Sequence, residues 1–150
     1  MRLRFVATLN PSRGEMRRRD RGDMVSFIPM EAIGEQGELD LEQTAAIGDV
    51  EHDYTYLRNE DVAFAKITPC FENGKGAIMR GLQGGIGFGT TELTVLRPHP
   101  RRACAGYLFW LVSSLPFRRI GEAGMYGAGG QKRVPDSFAR NFTMAFPPLE

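Results

Sequence analysis

Eight residues in three stretches carry the side chains with which a protein surface meets a polyanion: Lys66, Asn73, Lys75, Thr90, Thr91, Gln131, Lys132 and Arg133. Lysine and arginine neutralise backbone phosphates and supply affinity, whereas amides and hydroxyls on loops reach base edges and supply discrimination. Asn73-Gly74 is a strong tight-turn signal, so a turn would present Lys75 to a partner, and Asn73 reads as a turn former before it reads as a base contact. Thr90 and Thr91 end the run GGIGFGTTE at Gly84 to Glu92, whose glycines either bend a strand or let a DNA backbone approach. Lys132 and Arg133 close a glycine-rich loop that begins at Gly127. Arg80 and Gln83 lie beside these loops and read as solvated polar residues.

Other chemistries find no matching pattern. Gly85-Ile-Gly87-Phe-Gly89 runs into Thr90 to Val95, a strand pattern, whereas a dinucleotide fingerprint must open a helix whose N-terminus receives the pyrophosphate. The lysine of Gly129-Gly130-Gln131-Lys132 is not preceded by glycine and no Ser or Thr follows it, so the phosphate-loop pattern fails as well. His52 and His99 stand alone, and Cys70 and Cys104 have neither zinc spacing nor a paired spacing, which leaves reduced thiols and no metal. No serine sits in a nucleophile elbow, and neither Cys70 nor Asp61 has a partner base that would make a small enzyme. Pro147-Pro148 is preceded by Phe146 and followed by Leu149, unlike the acid, Asn or Ser with two prolines and an aromatic that methylates adenine. The chain is expected to be non-catalytic and to bind no cofactor.

The formal net charge of +1 hides a segregated distribution. Residues 1 to 22 carry seven arginines against Glu15 and Asp20, residues 31 to 61 carry ten acids against Arg58 alone, and eleven Lys and Arg face five acids from Val62 onward. One face could therefore be strongly positive while another meets a protein. With 150 residues, 42% of them apolar, the chain suits one domain spanning 1 to 150. Its longest apolar stretch, Ala103 to Val112, is too short to cross a bilayer and its N-terminus lacks a signal-peptide core, so a soluble, cytoplasmic protein with no membrane partner is expected.

The elements that must position these residues are mostly strands. Arg2 to Leu9 alternates weakly, Arg13 to Arg21 reads as an exposed loop or arm, and Val25 to Ile28 as a short strand. Glu31 to Val50 reads as a hairpin or loop layer, with Leu39 and Leu41 alternating as on an edge strand. Tyr54 to Tyr56, Asp61 to Ile67, Ala77 to Arg80, Ile86 to Phe88 and Glu92 to Leu96 complete a strand-rich middle. After Pro98-His99-Pro100 the apolar spacing turns helical, predicting one helix over about Arg102 to Ser114 and a second from Pro116 to about Gly121 to Gly124. Pro135 to Ala139 reads as a helical turn and Phe142 to Phe146 as a last strand.

FAKITPCFENGKGA at Phe64 to Ala77, GGIGFGTTE at Gly84 to Glu92, VSFIPME from Val25, GQKRVP at Gly130 to Pro135 and FPPLE at Phe146 to Glu150 stand in one order along most of the chain. This wording resembles the target recognition domain of the DNA-specificity subunit of type I restriction-modification enzymes. The resemblance implies a mixed α/β (α+β) fold, a strand-rich twisted sheet with two short helices packed on one side. It implies sequence-specific binding of double-stranded DNA, with methyltransferase subunits and, in restriction complexes, restriction subunits as partners that carry the S-adenosylmethionine and ATP chemistry. In that family two recognition domains are joined by long helices and each reads half of a split target. The present chain corresponds to one domain and stops where the family's long helix would begin, so the spacer helix and the second domain are expected to be absent, as in a half-subunit or truncated form. A protein-interaction module that regulates a methyltransferase complex without binding DNA is the alternative, and the acidic block from Glu31 to Asp61 would suit it.

Overall fold

Short alternating segments and one apolar helical stretch build four layers. In the computed structural model, which describes residues 1–148, eight strands form two four-stranded sheets. The first sheet runs β1 (Ala7–Leu9), β8 (Leu93–Pro98), β5 (Val62–Ala65) and β6 (Gly76–Ile78), all antiparallel. The second runs β3 (Thr44–Ala46), β2 (Met24–Ile28), β7 (Ile86–Gly89) and β4 (Thr55–Arg58), with β2 parallel to β7 and the other pairs antiparallel.

Period-two alternation assigns the faces. In β5, Val62 and Phe64 enter a core with α2 (Ala105–Ser113) and α3 (Leu115–Ala123), which cover the outer face of the first sheet. Ala63 on the same strand, with Ala77, Leu93 and Val95, faces Ile28 and Leu57 of the second sheet in a second core. Both faces of β5 are covered, which is why VAFA is continuously apolar. A third core lies on the far face of the second sheet, where Val25, Tyr56, Ile86 and Phe88 pack on Met16 and on Ile47 and Val50 of α1 (Ile47–Val50).

The glycine run is explained by this stacking. A Cβ on Gly89 would stand 2.8 Å from Leu93 Cδ1 and 3.1 Å from the Ile28 carbonyl, and one on Gly87 would stand 3.0 Å from the Ser26 carbonyl. At Gly89 the missing side chain lets the two sheets close on each other, at Gly87 it lets β2 lie close alongside within the second sheet, and β7 is buried throughout. The alternative of DNA approaching these glycines is therefore corrected for Gly87 and Gly89.

Several boundaries differ from the sequence reading. The single sheet is two sheets, because the turn at Thr90 carries the chain from the middle of one into the middle of the other. The Leu93 amide donates to the Thr90 carbonyl over 3.3 Å at that turn. Leu3–Phe5 winds into a 3-10 turn, leaving only Ala7–Leu9 as strand. Leu39 and Leu41 are not on an edge strand: they lie partly buried over the second core, and Ile33 makes an isolated bridge to Leu39. Phe142 to Phe146 forms no strand, being held by α4 (Asp136–Asn141), a bridge from Thr143 to Arg2 and aromatic packing on Phe117. Helix α2 begins three residues later than predicted, and Ser114, whose hydroxyl accepts from the Phe117 amide over 3.4 Å, caps α3 with Pro116 just inside it. Of the closing FPPLE segment, Leu149 and Glu150 lie outside the described residues.

Candidate nucleic-acid interface

The arginine-rich stretch is exposed, as its composition requires, but it is fixed rather than loose. Ser12 Oγ accepts from the Gly14 amide over 3.1 Å and starts a 3-10 turn, Arg13–Met16. Met16 is buried in the third core, and Glu15 reaches the sheets. The Tyr56 hydroxyl donates to Glu15 Oε1 over 2.6 Å, Arg97 Nη1 donates to the same oxygen over 2.6 Å, and Arg58 Nη1 donates to Oε2 over 3.0 Å. Arg97 also clasps the fully buried Asp61 through Nε and Nη2 at 2.8 and 2.9 Å, and Asp61 accepts the Arg58 amide at 2.9 Å.

A buried carboxylate needs such pairing, and here it links β4, β5 and β8. Burial opposes ionisation of Glu15, but the hydrogen bonds from Tyr56 and Arg97 and the nearby guanidinium charges hold its pKa below the ordinary value. Burial and then the Glu15 carboxylate push the Tyr56 phenol up to about 12. Burial also disfavours the Arg97 cation, yet Asp61 and Glu15 hold its pKa above the usual arginine value. Asp61 is thus a structural anchor, with no nucleophile or base beside it.

The residues singled out in the sequence separate into two groups. Lys66, Thr90, Thr91, Lys132 and Arg133 converge where β5 ends and β8 begins. The Lys66 amide donates to the Glu92 carbonyl over 2.9 Å, the Val134 amide to the Lys66 carbonyl over 2.8 Å, and the Thr68 amide to the Lys132 carbonyl over 2.9 Å. Thr91, Gln131 and Lys132 are exposed there. Thr90 instead serves its own turn, its hydroxyl accepting from the Glu92 amide over 3.2 Å.

Arg133 is committed to Glu92 in a bidentate pair at 2.8 and 2.6 Å, and those hydrogen bonds lower the Glu92 pKa. Lys75 is half-buried, and its Nζ donates to the Met30 carbonyl over 3.2 Å. Asn73 is exposed in the turn before Gly74, whose φ of +80° is left-handed.

A cleft of about 430 Å³ opens beside the converged group. Lys66 and Thr91 line it together with Asn10, Arg13, His52 and Tyr54. Asn10 Oδ1 accepts from the Val95 amide over 3.0 Å and Arg13 Nη2 lies 3.4 Å from His52 Nδ1. Asn10, Arg13 and Tyr54 were missed as site residues in the sequence, although the arginine count of residues 1 to 22 was the signal for Arg13. Among the described residues no group of three His, Cys, Asp or Glu could hold a metal ion, and no helix is long and apolar enough to cross a membrane.

Two stacked sheets flanked by helices and bordered by a polar cationic cleft define a recognisable class of fold. A chain solved in work on complex assembly and conformational transition of the type I R-M system superposes with a TM-score of 0.76 at 21% identity, covering 100% of this chain and 38% of that one. The HsdS subunit from Thermoanaerobacter tengcongensis gives a TM-score of 0.76 at 20% identity, over 99% of this chain and 37% of its own. At such identities the likeness shows the fold.

Sequence carries it further. The chain is 42% identical over 148 residues to the type I restriction enzyme EcoEI specificity subunit of Escherichia coli, and 43% identical over 149 residues to the EcoAI specificity subunit of the same organism. These matches cover 97% and 99% of this chain but 24% and 25% of the relatives. The chain is homologous to type I restriction enzyme specificity subunits and spans about a quarter of the length of the relatives it matches. No family model matches it.

Proposed function

We propose that the chain is a non-catalytic DNA target recognition domain of a type I restriction-modification specificity subunit, working in the cytoplasm. In this reading it contacts one half of a split double-stranded target and helps to direct methyltransferase and restriction subunits there. The homology over 97 to 99% of the chain carries the proposal, and the cleft supports it with Lys66 and Arg13 as phosphate ligands beside the exposed Thr91 hydroxyl, able to meet a base edge. Gln131 and Lys132, exposed at the neighbouring loop, extend that surface.

Fluorescence anisotropy with labelled duplexes tests this. Lys66→Ala and Lys132→Ala each weaken binding to all sequences and lower the salt slope by about one per lost phosphate contact, while Lys75→Ala leaves the slope unchanged. Binding that ignores Lys66 and Lys132 contradicts the assignment of the cleft. A second reading, a protein-interaction module regulating a methyltransferase complex, is favoured by the exposed acids Glu31, Glu35, Asp40 and Glu42 on the loop over the second core. Absence of duplex binding at low salt, with retained capture of methyltransferase subunits, selects it.

A further inference from the structure

We propose that the Arg13 to Arg19 turn is a prebuilt clamp for DNA backbone phosphates and that Glu15 is its positioning residue. The inference rests on the DNA-binding reading and adds a second contact element to the cleft. Arg13, Arg17, Arg18 and Arg19 are all exposed, and among the described residues none of the four has a carboxylate partner. Arg58, Arg80, Arg97 and Arg133 are each paired with one, and what sets Arg13, Arg17, Arg18 and Arg19 apart from the chain's other unpaired arginines is that they fall within seven consecutive residues. Unpaired arginines held close together repel one another, so the arrangement favours an anion.

The turn is also held in place. Met16 is sunk in the third core, the Arg19 amide donates to the Met16 carbonyl over 2.8 Å, and Arg19 Nη2 donates to the Gly84 carbonyl over 2.9 Å. Glu15, with three donors from β4 and β8, ties the turn to the sheets. Arg13 lines the main cleft and, with Arg17 and Glu51, a depression of about 230 Å³, and Arg19 lines one of about 240 Å³ with Glu15, Tyr56 and Arg58; both acids are already paired, Glu51 with Arg21 and Glu15 with Arg58 and Arg97. The cations thus continue the cleft along the edge of the second sheet, as a backbone running past a base-reading site would require.

Glu15 makes a prediction whose sign separates positioning from bulk charge. Glu15→Gln removes a negative charge, which by electrostatics alone strengthens DNA binding. If Glu15 positions the clamp, the same variant weakens it. The full chain is titrated against a labelled random-sequence duplex from about 50 to about 200 mM salt. Near-UV circular dichroism and thermal unfolding of each variant confirm the fold.

The expected results are a salt slope lowered by about two for Arg17→Ala with Arg18→Ala, and weaker binding for Glu15→Gln. The Arg17 and Arg18 losses are also smaller in the Glu15→Gln background. Wild-type binding with an unchanged slope in the arginine variant overturns the clamp alone. Unchanged or tighter binding by folded Glu15→Gln overturns the positioning role. Failure of the wild-type chain to bind the duplex overturns both the clamp and the DNA reading.

Discussion

Tyr56 and Glu15 show how much of this surface depends on single bonds. The phenol donates to a carboxylate that two arginines also hold, and its pKa is pushed up to about 12 by burial and by Glu15. A folded-state pKa raised above the unfolded value contributes stability that is complete below the unfolded value, near 10, and is lost as pH rises through about 12. The difference in urea stability between wild type and Tyr56→Phe is therefore constant between pH about 6 and about 9, where Glu15 stays ionised, and shrinks between about 10 and 12. A difference that stays flat through that window contradicts the bond. At this scale the sequence was a partial guide. Lys66, Thr91, Gln131 and Lys132 lie near one another at the ends of β5 and β8, whereas Lys75 and Arg133 are engaged by Met30 and Glu92, partners 45 and 41 residues away that no local pattern reveals.

Among the elements, β7 is the one on which the stacking of the two sheets turns. Gly89→Ala drives a methyl group against Leu93 and the Ile28 carbonyl, and the overpacking costs about 1–3 kcal/mol. Gly106→Ala, on the exposed side of α2 with nothing within 4 Å of its Cβ, stabilises the chain by roughly 0.5 kcal/mol through helix propensity. Urea unfolding of the two variants measures both, and equal effects would remove the packing explanation of the glycine run. The strands of the middle and the helices after Pro100 were legible because period-two alternation and helical spacing are local signals. Their division into two sheets was not, since it depends on the Thr90 turn sending β7 and β8, four residues apart, into different layers. Phe142 to Phe146 misled for a similar reason: its alternation serves aromatic packing on Phe117 and Tyr107 without a strand partner.

Across the whole molecule, the acidic and basic blocks of the sequence are only partly separated in space. Glu51 pairs with Arg21 at 3.3 Å, and Glu15 is spent on the sheets, while Glu31, Glu35, Asp40 and Glu42 remain exposed on the loop across the second core. Arg13, Arg17, Arg18 and Arg19 have no carboxylate partner among the described residues, and Asp53, between His52 and Tyr54 of the cleft wall, is the exposed acid beside them. The net charge of +1 therefore understates the local field a duplex would meet. If the chain reads one half-site as proposed, it binds weakly alone, and a linked second site multiplies affinity when the spacing fits.

The most direct test exchanges residues 1–148 for the matching quarter of the EcoEI specificity subunit, assembles the hybrid with its methyltransferase subunits and maps the methylated adenines by sequencing. The expected result is a split target in which one half is that of EcoEI and the other is new, and in which Lys66→Ala lowers modification at all sites. Modification only at the parental EcoEI sites, or assembled hybrid complexes with no sequence preference in the exchanged half, would contradict it.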